Sequence, residues 1–160
     1  MVLFVLWVKM ELENVKEVII PENIQWCIDV KQPNSDEVRK GVFVSEEETF
    51  QVTGSRGSAH FLLKWPGGKK ESQMDIIRIK KGVLRNITDA DSDEYVPIVA
   101  FECRGIEPFA YYPQSGFTVS SGSALFEDVD LNDDWAEYDE EGEQAVSIQN
   151  LEYKFTVVKA

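Results

Sequence analysis

At 160 residues the chain is most simply one domain, and a chain of that length buries roughly 70% of its unfolded surface, so no disulfide or metal staple is required. With 43% apolar and 11% aromatic residues its composition excludes a long disordered tail, and a net charge of −13 argues against binding nucleic acid or anionic membranes. The charge is polarised: Gly105 to Tyr153 holds twelve acids and no Lys or Arg, leaving sixteen positive against seventeen negative residues for the rest.

The first element is the run VLFVLWVKMELE, residues 2–13. It resembles a secretory h-region, yet it has no positive flank and no small-residue cleavage site. It is also far shorter than the eighteen or so residues of a membrane span. It reads as a buried β-strand. NIQWCIDVK follows, also strand-like, and runs into the turn Gln32-Pro33-Asn34-Ser35. GVFVS and ETFQV are further short strands, with a turn signal at Gly54. GSRGSAH is rich in Gly and Ser, but no Gly-Lys-[Ser/Thr] completes a phosphate-binding loop. AHFLLKW then leads into Trp65-Pro66-Gly67-Gly68, where Pro sets φ at the second position and Gly permits φ > 0 at the third. That chemistry predicts a type II turn.

MDIIRIKK is the next strand, with a turn signal at Gly82. NITDADSDE, residues 86–94, reads as a polar connection dividing the sheet into two halves; it also carries a glycosylation sequon at Asn86. YVPIVAFEC is a strand, and the segment NDDWAEYDEEGEQ is expected to form one short helical turn at most. In the closing LEYKFTVV, Leu151, Tyr153, Phe155 and Val157 alternate with Glu152, Lys154 and Thr156, the period of a half-buried strand. No window carries a sustained apolar stripe of helical period. The expected fold is a single all-β domain, an antiparallel sandwich or partly open barrel.

No residue set declares a reaction. Cys27 and Cys103 are too few for a disulfide framework and lack metal-type spacing, which suits reduced thiols in the cytoplasm. A nucleophilic dyad would need His60, the only histidine, with Cys103; both sit on apolar strands, where packing is the simpler role. Arg104 beside Cys103 would favour a thiolate, which makes thiol reactivity worth testing. DVDLNDDWAEYD, residues 128–139, imitates a calcium loop but has Asp133 where Gly is needed and Asp139 where a bidentate Glu is usual. A solvated acidic loop fits better. Within it Trp135 and Tyr138 stand among Asp133, Asp134, Glu137 and Asp139, a composition suited to anchoring a basic protein partner. The alternative is that both rings cover the core while the acids face water. An exposed strand edge would also let two copies pair. No catalytic residue, cofactor or metal ligand is assigned.

Several stretches together resemble one family. They are the first strand ending in LEN, GSRGSAHF, VAFECRGIEPFAYYPQSGF, DWAEYDEE and the closing LEYKF, and they span nearly the whole chain. The chain is similar to the eukaryotic CXXC-motif-containing zinc-binding proteins, a family of unknown molecular function. The resemblance implies an almost entirely β-stranded domain and two CxxC pairs on two hairpin loops, closing a structural four-cysteine zinc site. Placed on this chain, the first pair falls on Gln32 and Ser35 and the second on Trp65 and Gly68. All four thiolates are missing, and neither Cys27 nor Cys103 restores them. A structural zinc contributes on the order of 10–16 kcal/mol in finger peptides. Without it Pro33 and Pro66, worth ~0.4–1 kcal/mol each where the geometry suits them, and a buried Trp65 ring must hold the loop tips, with the core supplying the rest.

Overall fold

The computed structural model describes residues 2–21, 24–77 and 86–159. Its strands run, in chain order, β1 (Val2–Glu13), β2 (Glu17–Ile19), β3 (Trp26–Lys31), β4 (Val38–Val44) and β5 (Phe50–Gln51). There follow β6 (Ser58–Ala59), β7 (Phe61–Leu63), β8 (Ser72–Ile77), β9 (Ile87–Thr88) and β10 (Val96–Arg104). The last five are β11 (Glu107–Tyr112), β12 (Phe117–Ser120), β13 (Leu125–Val129), β14 (Trp135–Asp139) and β15 (Gln144–Lys159). Among the described residues the one helical element is a 3-10 turn at Asp89–Asp91. The fold is all-β and antiparallel, as expected.

The main sheet has the order β14-β15-β1-β10-β8-β7. β1 is central, between β10 and β15, which explains why its sequence is almost continuously apolar rather than alternating. Phe4, Leu6, Val8 and Met10 join the core from one face. On the other, Trp7 lies under the Lys154 ammonium at 5.6 Å and donates its Nε1–H to Thr156 Oγ1 at 2.8 Å. A three-stranded sheet, β11-β3-β4, packs over the core face. Trp26 of β3 meets Phe101 of β10 edge-to-face at 6.5 Å, and Tyr111 of β11 meets Tyr153 of β15 at 6.2 Å. The four-stranded sheet β13-β12-β2-β9 adds Val18, Ile87, Phe117 and Val119 to the same cluster.

Asp29 is a buried carboxylate kept by its partners. Asp29, 3% exposed on β3, accepts the Tyr112 hydroxyl at 2.6 Å and the Gly41 backbone N–H at 2.8 Å, tying β4 and β11 to β3.

The segment around Trp135, where the sequence allows at most one short helical turn, is β14, paired with β15 from Trp135↔Ile148 to Asp139↔Gln144. β10, which follows the connection at 86–94, pairs with both β1 and β8, which precede it. Residues 78–81 of the MDIIRIKK run and the turn signal at Gly82 lie outside the described residues.

Candidate functional site

Both Pro-containing turns form, by different means. In the β7–β8 hairpin the Gly68 N–H donates to the Trp65 carbonyl at 2.8 Å, and Gly67 has φ +75°, the type II geometry the sequence predicts. In the β3–β4 hairpin the Gln32 N–H donates to the Glu37 carbonyl at 3.0 Å, and Asn34 takes the positive φ at +59°. The Glu37 N–H closes the tip on Ser35 Oγ at 3.2 Å.

The two hairpins flank one bend. β10 ends at Arg104, paired with Gln73 of β8, and β11 begins at Glu107, paired with Lys31 of β3. Gly105 turns the chain between them with φ +72°. Trp65 is 3% exposed and donates its Nε1–H to the Gly105 carbonyl at 2.9 Å. On the other side Lys31 Nζ lies 3.8 Å from Glu107 Oε2. The second knuckle is therefore fixed to the bend by a buried ring and a hydrogen bond.

These residues do not fit the zinc that the resemblance implies. Zinc needs thiolate, imidazole or carboxylate donors. Gln32 and Ser35 supply an amide and a hydroxyl, the latter already accepting the Glu37 N–H. Gly68 has no side chain, and the Trp65 N–H is a donor already committed to Gly105. Among the described residues no three His, Cys, Asp or Glu side chains gather in a metal-binding group.

The acidic segment is exposed with one exception. Of the ten acids from Glu127 to Glu143, nine, including Asp133, Asp134 and Glu137, face solvent, and none of the nine forms an ion pair among the described residues. Asp139 does not belong to that surface. It is 1% exposed, accepting hydrogen bonds from the Ser121 hydroxyl at 2.6 Å, the Ser123 hydroxyl, the Gly142 N–H at 2.9 Å and Gln144 Nε2 at 3.3 Å. These donors, the two serine hydroxyls foremost, hold its carboxyl well below the usual carboxylate range. Nor do Trp135 and Tyr138 form one cluster. Three positions apart on a strand, they point to opposite faces. Trp135 packs edge-on against Phe126 at 5.3 Å, while Tyr138 is 56% exposed.

His60 and Cys103 do not form a dyad. His60 Nδ1 accepts the Ile76 backbone N–H at 2.9 Å and lies 3.7 Å from Asp75. Cys103 is 2% exposed with its Sγ against the Phe101 carbonyl at 3.7 Å. Burial first, then the nearby Glu107, Asp75 and Glu102, pushes its thiol far above the ordinary range. Arg104 does not offset this. Cys27 is buried too, and both cysteines are free.

Sequence comparison places these features among relatives. A family model described as CXXC motif containing zinc binding protein, eukaryotic, matches residues 5–156. A Xenopus laevis protein of that name is 32% identical over 162 residues, covering 98% of this chain and 99% of the relative. Its Homo sapiens counterpart is 31% identical over 156 residues, covering 94% and 95%. Among solved structures, a hypothetical protein from Plasmodium falciparum superposes with a TM-score of 0.88 at 30% identity, covering 98% of this chain and all of that one. The crystal structure of C1orf123 gives 0.85 at 28% identity, covering 96% and 98%.

Proposed function

The chain belongs to the eukaryotic family of CXXC motif containing zinc binding proteins, and on that premise we propose that it keeps the family fold without the metal and acts as a non-catalytic intracellular interaction domain. The observation that carries this reading is the exposed acidic segment: nine carboxylates between Glu127 and Glu143 reach solvent, with no Lys or Arg from Gly105 to Tyr153. A face of one sign attracts a basic partner, speeds encounter and repels partners of its own sign. β14 is an outer strand of the main sheet, and Glu137 on it opposes edge-to-edge pairing of two copies through like-charge repulsion. A basic partner meets no such barrier there. The free cysteines suit a reducing compartment, and no helix among the described residues is long and apolar enough to cross a membrane.

The reading predicts capture of a basic protein from lysate by the purified chain at low salt, release at roughly 0.15 M salt where the Debye length is about 8 Å, and loss in Asp133→Asn/Asp134→Asn/Glu137→Gln. Equal capture by that variant, or no salt-sensitive basic partner, counts against it. A metal-handling role, the reading the relatives' names favour, would need donors other than residues 32, 35, 65 and 68. A thiol enzyme using Cys103 would need its sulfur brought out of the core.

A further inference from the structure

The knuckle that carries Trp65 also borders a basic cleft. A cleft of about 670 Å³ opens between the β7–β8 hairpin, the turn at Val52–Thr53 and the β10–β11 bend. Among the described residues, Lys64, Lys69, Lys70 and Arg104 line it with one carboxylate, Glu71, so that the three lysines alone outnumber it on a chain of net −13. The three lysines are exposed, and none is in an ion pair among the described residues. Glu71 is turned to the wall, where its Oε1 accepts the Thr53 N–H at 2.9 Å. Hydrogen bonds from Thr53, with Lys64 adding a smaller pull, hold its carboxyl below the ordinary range. It therefore organises the wall without closing off the lysines.

The floor is rigid. Gly105 carries the Trp65 hydrogen bond, and Ser72 is 8% exposed beneath it. Thr53, Ser72 and Gln73 add hydroxyl and amide groups to the lining. Together these groups offer what phosphoryl oxygens need: mobile ammonium charges with neutral donors between them. The volume is that of a small-molecule site, in the range of about 300–1,000 Å³. Among the described residues no aromatic side chain lines it, so they offer no platform on which a nucleobase or single-stranded nucleic acid would stack.

We propose that this cleft binds a compact, soluble, multiply phosphorylated small molecule, held by Lys64, Lys69 and Lys70 with Gln73 as a neutral donor. The proposal is independent of the acidic-face reading, since the two surfaces have opposite sign and share no residue.

Titration calorimetry of the full chain with inorganic tripolyphosphate at about 0.15 M salt tests it. Saturable one-to-one binding is expected, weakening as salt rises. Lys64→Gln/Lys69→Gln/Lys70→Gln should lose roughly tenfold or more, while Lys16→Gln/Lys40→Gln, with two lysines outside the cleft neutralised, should bind as wild type. All substituted lysines are exposed, so unfolding is not expected to confound the comparison; a thermal melt verifies it. Absence of saturable binding, or equal weakening by the control variant, would overturn the proposal. Binding confined to vesicles bearing polyphosphorylated headgroups, with none to tripolyphosphate, would overturn the assignment to a soluble ligand. Self-association abolished by the cleft variant, again without tripolyphosphate binding, would do so as well.

Discussion

Trp65→Ala is expected to be among the most damaging single substitutions in this chain, lowering stability by about 3–5 kcal/mol as large core aromatics do. For a domain of this length that corresponds to a fall in Tm on the order of 10 °C. Two losses combine. The ring is 3% exposed at the root of the second knuckle, so its removal leaves a cavity that the turn's fixed Pro66–Gly67 geometry fills poorly. The Gly105 carbonyl also loses the indole N–H it accepts at 2.9 Å. Trp65→Phe separates the two, since it keeps most of the apolar volume and deletes only the donor. Its expected loss is smaller, about 1–3 kcal/mol. Urea denaturation followed by circular dichroism reads both. If Trp65→Ala unfolds at the wild-type midpoint, the ring does not hold the knuckle.

Gly105→Ala should destabilise by a comparable amount, about 2–4 kcal/mol, from a single added methyl. The backbone at φ +72° disfavours any L side chain, and a Cβ there would sit 2.6 Å from Ser72 Oγ. Ser72 is buried on a paired strand, opposite Leu63. Ser72→Ala in the same background removes the nearest oxygen and leaves the Ser72 Cβ at 3.4 Å, so it should restore the steric part of the loss but not the part due to φ. Full rescue would mean the bend tolerates a side chain at this φ; no rescue would mean the contact with Ser72 is not the cause.

The sequence made some of this visible and hid the rest for identifiable reasons. Runs rich in Val, Ile, Phe and Trp announced β1, β3, β10 and β15, because burial on a pleated surface selects those residues. The Trp65–Gly68 turn was legible because Pro and Gly constrain φ locally, without reference to the rest of the fold. β14 was not legible. Its residues are mostly acidic or aromatic with no clean alternation, and it is a strand because β15 lies beside it. Asp139 looked like one acid among many, but its serine partners lie 16 and 18 residues earlier, on the far side of β13. The basic cleft was hidden in the same way. Arg104 reaches Lys69 and Lys70 only through the pairing of β10 with β8. The absent thiolates, by contrast, needed no structure: a chain with only Cys27 and Cys103 contains no CxxC pair.

That absence gives a large energetic consequence. Removing a structural zinc takes away on the order of 10–16 kcal/mol, more than Trp65 alone replaces. What the chain has besides Trp65 is a continuous core in which Trp26, Phe101, Tyr111 and the β1 side chains lock the sheets together. Elemental analysis of the full chain, purified from zinc-supplemented cells, with melting curves before and after a chelator, tests this most directly. The account predicts well below one zinc per chain and a melting temperature unmoved by chelation; one retained zinc per chain, with a melting temperature that falls when it is stripped, would contradict it.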